Sequence, residues 1–308
     1  MSLPPPPPPS GQVPAPPSGS MTCYRHPARE AGRRCTRCGK PACPQCLVQA
    51  SVGSHCVDCA KAARPDVATR AKYWHARQPA MITMGLIALN LLVFVYTTVR
   101  DPRSLGGRSV TIGQVELGLF EAALRDVTLP IRLTSGEVYL LDGPDWYRLV
   151  TAGFVHFGII HVGFNMYLLY MLGNMLEPSM GRIRFLLAYL ASLLGGSAVS
   201  LMIDSGGVAG GASGGVFGLM GLAAVGYWMR GINPLSTQIG SLLMLNLFIT
   251  FVFPGISIGG HIGGLVAGAA CGFAVVAPGN QRRPTWVTYA APVAVSVLAV
   301  ALAVVVVA

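Results

Sequence analysis

The stretch GGASGGVFGLMGLAAVGYWM, residues 210–229, places one serine, Ser213, where a glycine-rich turn runs into an uncharged apolar helix. The apolar run 213–229 approaches the length of roughly 20 residues that a helix needs to span a bilayer. Polar groups are costly in such segments and by default indicate function rather than packing. Ser213 is therefore the first candidate catalytic residue.

The rest of the chain has the same apolar character. Of its 308 residues, 52% are hydrophobic and 11% are charged, and the mean hydropathy is +0.55. After residue 79 there is too little polar surface for a soluble globule, so the predicted fold class is an all-α polytopic membrane protein with a small soluble head. Seven membrane helices are predicted, at 80–99, 157–176, 183–203, 213–229, 236–253, 259–277 and 286–308.

The distribution of charge predicts how these helices are oriented. Residues 1–79 hold eleven Lys/Arg and three Asp/Glu, which is +8 of the formal net charge of +10. Basic residues collect on the cytoplasmic side of membrane proteins, and the first twenty residues lack the features of a signal peptide, so we expect a cytoplasmic N-terminus. The C-terminus would then lie outside, with the plasma membrane as the expected location. Arginines in alternate connections agree with this orientation: Arg182, Arg184, Arg230, Arg282 and Arg283.

A histidine, His261, opens another apolar helix at the same outer depth as Ser213. A hydroxyl is a poor nucleophile unless a base takes its proton, and histidine is the base best matched to neutral pH. Glycine at every fourth residue lets two helix backbones touch, and small residues line both helices. They are Gly214, Gly218 and Gly221 on one helix and Gly260, Gly264, Gly268 and Gly272 on the other. The alternative is a glycine-rich packing face with an incidental serine and histidine.

Acyl transfer also needs donors for a developing oxyanion. His161 and Asn165 share one helix face near its outer end, and together with the backbone N–H of Ser213 they are the candidate donors. A polar contact between helices is the alternative for this pair. No acidic residue follows Ser213, and the nearest upstream carboxylate, Asp204, is interpreted as a solvated loop charge. A Ser–His dyad is therefore predicted, with no cofactor for catalysis.

The soluble head is predicted to bind metal. Seven of the eight cysteines lie between residues 23 and 59, in pairs that argue for metal rather than disulfides in a reducing cytosol. Four pairs, each with two residues between the ligands, supply the eight ligands of two tetrahedral zinc sites: Cys23/His26, Cys35/Cys38, Cys43/Cys46 and Cys56/Cys59. Spacing alone leaves sequential and interleaved pairing open. The zinc is expected to be structural, because about forty residues form too small a core to fold unaided. Nucleic acid is not expected as a partner, since no aromatic platform accompanies the basic residues.

Residues 80–277 resemble the rhomboid family of intramembrane serine proteases. The motifs that carry the resemblance are Trp146-Tyr147-Arg148, His156 to His161 with Asn165, Gly211-Ala212-Ser213-Gly214, and His261 with Gly264 and Gly268. The resemblance implies a six-helix bundle, with Ser213 as nucleophile, His261 as general base and acid, and His161 and Asn165 at the oxyanion site. One departure is Phe217, where the family often has tyrosine; stacking on His261 would survive this change, but a hydroxyl contribution would not.

The cysteine pattern resembles a B-box-like zinc finger. That resemblance implies an interleaved arrangement, with Cys23, His26, Cys43 and Cys46 in one site and Cys35, Cys38, Cys56 and Cys59 in the other.

Five regions follow from these observations. They are a disordered proline-rich leader (1–20), a double zinc-binding module (21–60), a basic linker (61–79), a rhomboid-like protease domain (80–277) and one additional C-terminal helix (278–308). The expected function is cleavage of single-pass transmembrane proteins near the outer face of the bilayer, with a cytoplasmic protein as partner of the zinc module. A non-catalytic receptor or adaptor that signals through the zinc-binding head is the main alternative, and a membrane-tethered nucleic-acid binder is a third.

Overall fold

The structure is a computed structural model that describes residues 21–50, 52–64, 79–107, 109–133, 135–204, 206–276 and 284–308. The chain divides into two compact units, Met1–Tyr73 and Trp74–Ala308. The predicted leader, most of the basic linker, and Arg282 with Arg283 lie outside the described residues.

The N-terminal unit consists of two small antiparallel sheets and one short helix. Strand β1 (Arg33–Arg34) pairs with β2 (Pro41–Ala42), β3 (Leu47–Gln49) pairs with β4 (Ser54–Cys56), and helix α1 (Val57–Ala62) follows. The buried cluster of this unit consists of three cysteines and one alanine, with Tyr24 and Leu47 against it. Such a core buries too little apolar surface to stabilise a fold by itself.

The second unit is a helical, multi-pass membrane bundle. In chain order its helices are α2 (Met81–Arg100), α3 (Ile112–Leu117), α4 (Arg148–Thr151), α5 (Ile159–Met180), α6 (Arg182–Ile203), α7 (Ser213–Trp228), α8 (Gln238–Val252), α9 (Ile258–Val275) and α10 (Val287–Val307). Among the described residues, five of them are long and apolar enough to cross a membrane, namely α2, α5, α6, α9 and α10. Helices α7 and α8 are apolar but shorter. Every predicted apolar run is therefore helical, and the short α7 begins at Ser213.

Helix α5 runs to Met180, four residues beyond its predicted end at 176, and passes through Pro178. The reason is a tertiary contact. The carboxylate of Glu177 is buried and accepts hydrogen bonds from the backbone N–H groups of Ile82 (3.0 Å) and Thr83 (2.8 Å) and from the Thr83 hydroxyl (2.7 Å). The first N–H groups of a helix have no partner within it, so Glu177 caps α2 and extends α5 toward it.

The connection from 100 to 148 is ordered around a buried arginine. It contains a β-hairpin, in which β5 (Thr128–Arg132) pairs with β6 (Val138–Asp142). Arg148 has no exposed surface; it is paired with Asp145 at 2.8 Å and donates to the backbone carbonyls of Val115 and Gly118. A buried charge is tolerated when it is paired and fully hydrogen-bonded, so Arg148 holds the loop against the bundle.

Helices α7 and α9 are in backbone contact. A Cβ added at Gly264 would overlap the carbonyl of Gly214, and one added at Gly268 would overlap that of Gly218. The glycines predicted to line both helices therefore do so. This contact brings the N-terminal end of α9, which carries His261, beside the first turns of α7.

Candidate active site and metal centres

Ser213 is the first residue of α7, and the turn before it is held by backbone hydrogen bonds. Gly211 has φ of +135° and its N–H donates to the carbonyl of Ala152 at 2.9 Å. Only glycine adopts this conformation readily, and a Cβ here would lie 2.9 Å from Nε2 of His161. The turn therefore requires Gly211, and it leaves the Ser213 side chain half-buried rather than enclosed.

A second histidine, His156, supports the same turn. His156 is buried; its Nδ1 lies 3.3 Å from the carbonyl of Phe154, and its Nε2 lies 3.4 Å from the backbone nitrogen of Ala212. A neutral imidazole with Nδ1–H donates to that carbonyl and accepts the N–H of Ala212 with Nε2, which satisfies both nitrogens. The sequence places His156 in a motif, but nothing in the sequence indicates this contact.

His161 presents one nitrogen to the space beside Ser213. Its Nδ1 accepts the backbone N–H of Phe157 at 3.3 Å, so the proton of the neutral ring is on Nε2. The space that a Cβ on Gly211 would fill lies 2.9 Å from that Nε2 and 3.5 Å from Oγ of Ser213. A hydrogen-bond donor and the serine oxygen therefore flank one small space.

Asn165 lies one turn further along α5 and is buried. Its amide Nδ2 donates to the carbonyl of His161 at 3.0 Å. An amide has two hydrogens, so this bond leaves Asn165 one further donor. The structure thus brings His161 beside Ser213, whereas the described contact of Asn165 is with the backbone of its own helix.

The imidazole of His261 packs flat on Phe217. The two ring centroids are 4.1 Å apart with an interplanar angle of 18°, and His261 is 8% exposed. Because Phe217 is one helical turn after Ser213, the stack sets the histidine beside the turn that carries the serine. Its Nδ1 lies 2.6 Å from the hydroxyl of Thr250 on α8, a neighbour that the sequence analysis did not identify.

A cavity of about 40 Å³ lies beside Ser213. Helix α6, the turn at Ala152, and the first turns of α7 and α9 surround it, and its lining includes the hydroxyls of Ser197, Ser200, Ser213 and Ser257. A cavity of this volume that contacts several serines has room for water.

Comparison with known protein families matches residues 143–278 to the Rhomboid domain. The match covers less than half of the chain. The matched segment contains Ser213, His261, His161 and Asn165.

Individual relatives of the rhomboid domain include enzymes and proteins without a named activity. The chain is 32% identical to the rhomboid protease GluP of Bacillus subtilis over 189 residues, which are 60% of this chain and 33% of that protein. It is 31% identical to rhomboid-type serine protease 2 of Emericella nidulans, covering 46% of this chain and 29% of that protein. It is also 33% identical to RHOMBOID-like protein 4 of Arabidopsis thaliana, covering 44% and 36%. The chain thus spans about a third of the length of these relatives.

Asp204, interpreted from the sequence as a solvated loop charge, is half-buried and bonded. This interpretation was wrong, because the carboxylate accepts hydrogen bonds from the hydroxyls of Ser200 and Ser257 and from the backbone N–H of Gly259 at 3.1 Å. Ser257 is the N-cap of α9 and accepts the N–H of Gly260. Negative charge is favourable at a helix N-terminus, so Asp204 anchors the first turn of the helix that carries His261.

Asp204→Ala is expected to loosen this first turn in the rhomboid domain. Removing a charged acceptor leaves the amides of Gly259 and Gly260 less protected, so their hydrogen exchange should accelerate by roughly 10- to 100-fold. Hydrogen exchange read by mass spectrometry checks this. Asp142→Ala, at an exposed carboxylate of the β-hairpin, is the matched control; equal protection at residues 257–261 in both variants would contradict the capping role.

The predicted metal ligands of the N-terminal unit form two clusters. One holds Cys23, His26, Cys43 and Cys46, and the other holds Cys35, Cys38, Cys56 and Cys59; within each, one ligand atom per residue lies within 4.8 Å of the others. These are the interleaved groups rather than the sequential ones. The β1–β2 hairpin separates them along the chain, because its turn carries Cys35 and Cys38 and its other end is followed by Cys43. In the second hairpin Cys46 precedes β3 and Cys56 ends β4, at the open end.

The distances in both clusters fit tetrahedral zinc. Zn–S bonds of about 2.3 Å give tetrahedron edges of about 3.8 Å, somewhat less when one ligand is nitrogen. The Sγ atoms of Cys38 and Cys56 are 3.7 Å apart, and Nδ1 of His26 lies 3.4 Å and 3.5 Å from the sulfurs of Cys46 and Cys43. Two four-ligand groups in this unit are therefore shaped to bind zinc, and Nδ1 is the atom through which His26 would coordinate the ion.

The electrostatics of the first cluster also suit a cation. Burial raises the pKa of the Cys23 thiol, but hydrogen bonds from neighbouring backbone groups outweigh burial and lower it to about 6. Burial and the adjacent thiols raise the pKa of Cys46 to about 11. Several thiolates cannot share so small a space without a positive charge between them, and a divalent ion supplies that charge.

Proposed function

We propose that this protein is an intramembrane serine endopeptidase that cleaves transmembrane-helix substrates near the outer face of the bilayer with a Ser–His dyad. The observation that carries the proposal is the stack of His261 on Phe217, one helical turn after Ser213, which supports the pairing of this base with a half-buried hydroxyl. The relatives named as proteases, one of them as a serine protease, support the same reaction class.

The first half of the reaction forms an acyl-enzyme. Oγ of Ser213 attacks the scissile carbonyl carbon while Nε2 of His261 takes the serine proton. The carbonyl oxygen becomes an oxyanion in the tetrahedral intermediate. When that intermediate collapses, the C–N bond breaks and the imidazolium of His261 gives its proton to the leaving amine.

The second half repeats these steps with water. His261 removes a proton from a water molecule, which attacks the acyl carbon, and the proton then returns to Oγ of Ser213 as the carboxylic acid product leaves. The cavity of about 40 Å³ beside Ser213 has room for that water.

The oxyanion would be held in the space next to Gly211. Nε2–H of His161 points to that space, the backbone N–H of Ser213 has no partner within α7 because it begins the helix, and the bond of Asn165 to His161 uses only one of its two amide hydrogens. Donors fixed in place where charge develops lower the barrier without reorganisation.

His161→Ala and Asn165→Ala are each expected to slow cleavage by roughly 10²–10³-fold if both side chains donate to the oxyanion. The fall should be in kcat, because the charge develops only in the transition state. Steady-state kinetics on a cleaved model helix measures it. Asn174→Ala, an exposed asparagine of α5 that bonds to the carbonyl of Tyr170, is the matched control; an unchanged rate in Asn165→Ala would return Asn165 to a packing role.

The orientation proposed for the bundle sets the cleavage site at the outer face. The end of α10, at Ala303 and Val307, belongs to the same buried cluster as Leu119 and Leu149. This supports a C-terminus on the side of the 100–148 loop, outside the cell, and a cytoplasmic N-terminus. A substrate helix must give up its own hydrogen bonds to reach Ser213, so we expect single-pass proteins with helix-weakening residues near their outer end, and the plasma membrane as location.

The N-terminal unit is proposed to hold two structural zinc ions in the clusters defined above and to recruit a cytoplasmic protein. When bound, zinc would supply the folding free energy that the small core lacks. The eight ligand residues would hold the ions, and no step of peptide cleavage is assigned to zinc.

Reaction of the full-length protein with a fluorophosphonate probe tests the proposed activity. The probe should become attached to Ser213, as mapped by mass spectrometry of the labelled peptide, and His261→Ala should prevent it. A non-catalytic receptor has no activated serine and would take up no label. Labelling of a serine other than Ser213 would also overturn the proposal.

A further inference from the structure

Thr250 lies in a position that determines which nitrogen of His261 carries the proton. Thr250 is 2% exposed on α8, and its Oγ1 makes two close contacts. One is with the carbonyl oxygen of Asn246, one turn earlier in the same helix, at 2.7 Å. The other is with Nδ1 of His261, at 2.6 Å.

Counting protons assigns the direction of both bonds. A hydroxyl has one hydrogen to donate and two lone pairs to accept with, and a carbonyl oxygen only accepts. The Thr250 proton therefore goes to Asn246, as is common for threonine in apolar helices. The contact with His261 must then run the other way, from Nδ1–H to Oγ1 of Thr250.

We propose that Thr250 is a positioning residue that holds His261 in the Nδ1–H form, so that Nε2 keeps the lone pair facing the dyad serine. This inference rests on the proposed function of Ser213 and His261. In serine hydrolases with a catalytic triad, an acidic residue orients the histidine. Here the neutral Thr250 would have that role. The same hydrogen bond serves both states of the cycle, because only Nε2 gains and loses the proton.

The imidazole of His261 is also shielded from competing hydrogen-bond partners. Phe217 covers one face of the imidazole at 4.1 Å, and Thr250 contacts its Nδ1 edge. Because Phe217 fixes the plane of the ring and Thr250 holds one edge, rotation of His261 about its side-chain bonds is restricted. Nε2 is then the nitrogen left for the proton of Ser213.

The test is a set of three variants of the full-length protein in detergent, each read in two ways. Thr250→Val keeps the shape and removes the acceptor, and Thr250→Ser keeps the hydroxyl. Thr97→Val is the matched control, because Thr97 is also fully buried and bonds to a backbone carbonyl, that of Phe94, at 3.0 Å.

The first readout is the ¹⁵N spectrum of protein with labelled histidines. The chain has six histidines, and the signals of His261 are those that disappear in His261→Ala. The second is the rate at which Ser213 takes up a fluorophosphonate probe.

In the wild type we expect the ¹⁵N spectrum to show that the imidazole hydrogen of His261 is bonded to Nδ1. Thr250→Val should shift the tautomer toward Nε2–H and slow labelling by roughly 10- to 100-fold. Thr250→Ser should retain the wild-type tautomer and restore labelling to within a few-fold, and Thr97→Val should change neither. A merely structural threonine would alter thermal stability without altering the tautomer.

Three outcomes separate the proposals. An Nε2–H signal in the wild type would overturn the assignment even if Thr250→Val fails to fold. An unchanged tautomer and labelling rate in folded Thr250→Val would overturn it as well. A third outcome is that the tautomer changes as expected but wild-type Ser213 takes up no label. This would uphold the positioning role of Thr250 and refute the protease activity.

Discussion

Ser213→Ala and His261→Ala are each expected to abolish cleavage of a model transmembrane helix, a fall of at least roughly 10⁴-fold. The two side chains act as one unit, since the hydroxyl is unreactive without the base and the base has no nucleophile without the hydroxyl. For this reason the double variant should be no slower than either single variant. Release of a tagged product from a single-pass helix with glycine near its outer end, in liposomes or detergent, measures the rates.

Folding controls make this result interpretable. Ser213 is small and half-buried, so Ser213→Ala should melt within a few degrees of the wild type. His261→Ala removes the ring that stacks on Phe217 and should be less stable, by about 1–3 kcal/mol. Ser296→Ala, at a half-buried serine of α10 that bonds to the carbonyl of Pro292, is the matched control and should cleave normally. Substantial cleavage by both dyad variants would refute the mechanism.

The second large effect is expected in the N-terminal unit, which should bind two zinc ions per chain and unfold when they are removed. Zinc binding to small thiolate sites contributes apparent free energies of about 10–16 kcal/mol near neutral pH, far more than the core of this unit supplies. Elemental analysis of the full-length protein measures the stoichiometry. Proteolysis with and without chelator measures the unfolding, as new cleavage between residues 21 and 64.

One cysteine substitution distinguishes the pairing of the ligands. Cys35→Ser should lower the stoichiometry from two to one and perturb the NMR signals of Cys56 and Cys59, while those of Cys43 and Cys46 stay near native. Sequential pairing would instead disturb Cys23 and His26. Cys271→Ala is the matched control, because Cys271 is buried in α9 and belongs to neither cluster. A folded unit without metal would refute the zinc assignment.

Chelation also tests the separation between the two units. Since no step of cleavage is assigned to zinc, a chelator should leave probe labelling of Ser213 in detergent unchanged within about twofold. Complete loss of labelling on chelation would show that the metal clusters and the rhomboid domain are coupled.

The sequence by itself determined the apolar segments, the depth of the reactive groups and the set of metal ligands. Hydropathy is a property of about twenty neighbouring residues, so each helix was predictable without knowledge of its neighbours. The same holds for Ser213 and His261, which stand near the N-terminal ends of their segments, and for the paired cysteines, whose spacing is local. The interleaved grouping came from a resemblance, because spacing left two arrangements open.

The tertiary structure alone decided the contacts that tune those groups. Asp204 and Gly259 are 55 residues apart, and His156 and Ala212 are 56 apart, so no local pattern connects them. Thr250 is one of many threonines in apolar helices until the packing of α8 turns its hydroxyl to His261. Proton positions depend on which donor meets which acceptor, and in a helical bundle the crossing of the helices determines that pairing.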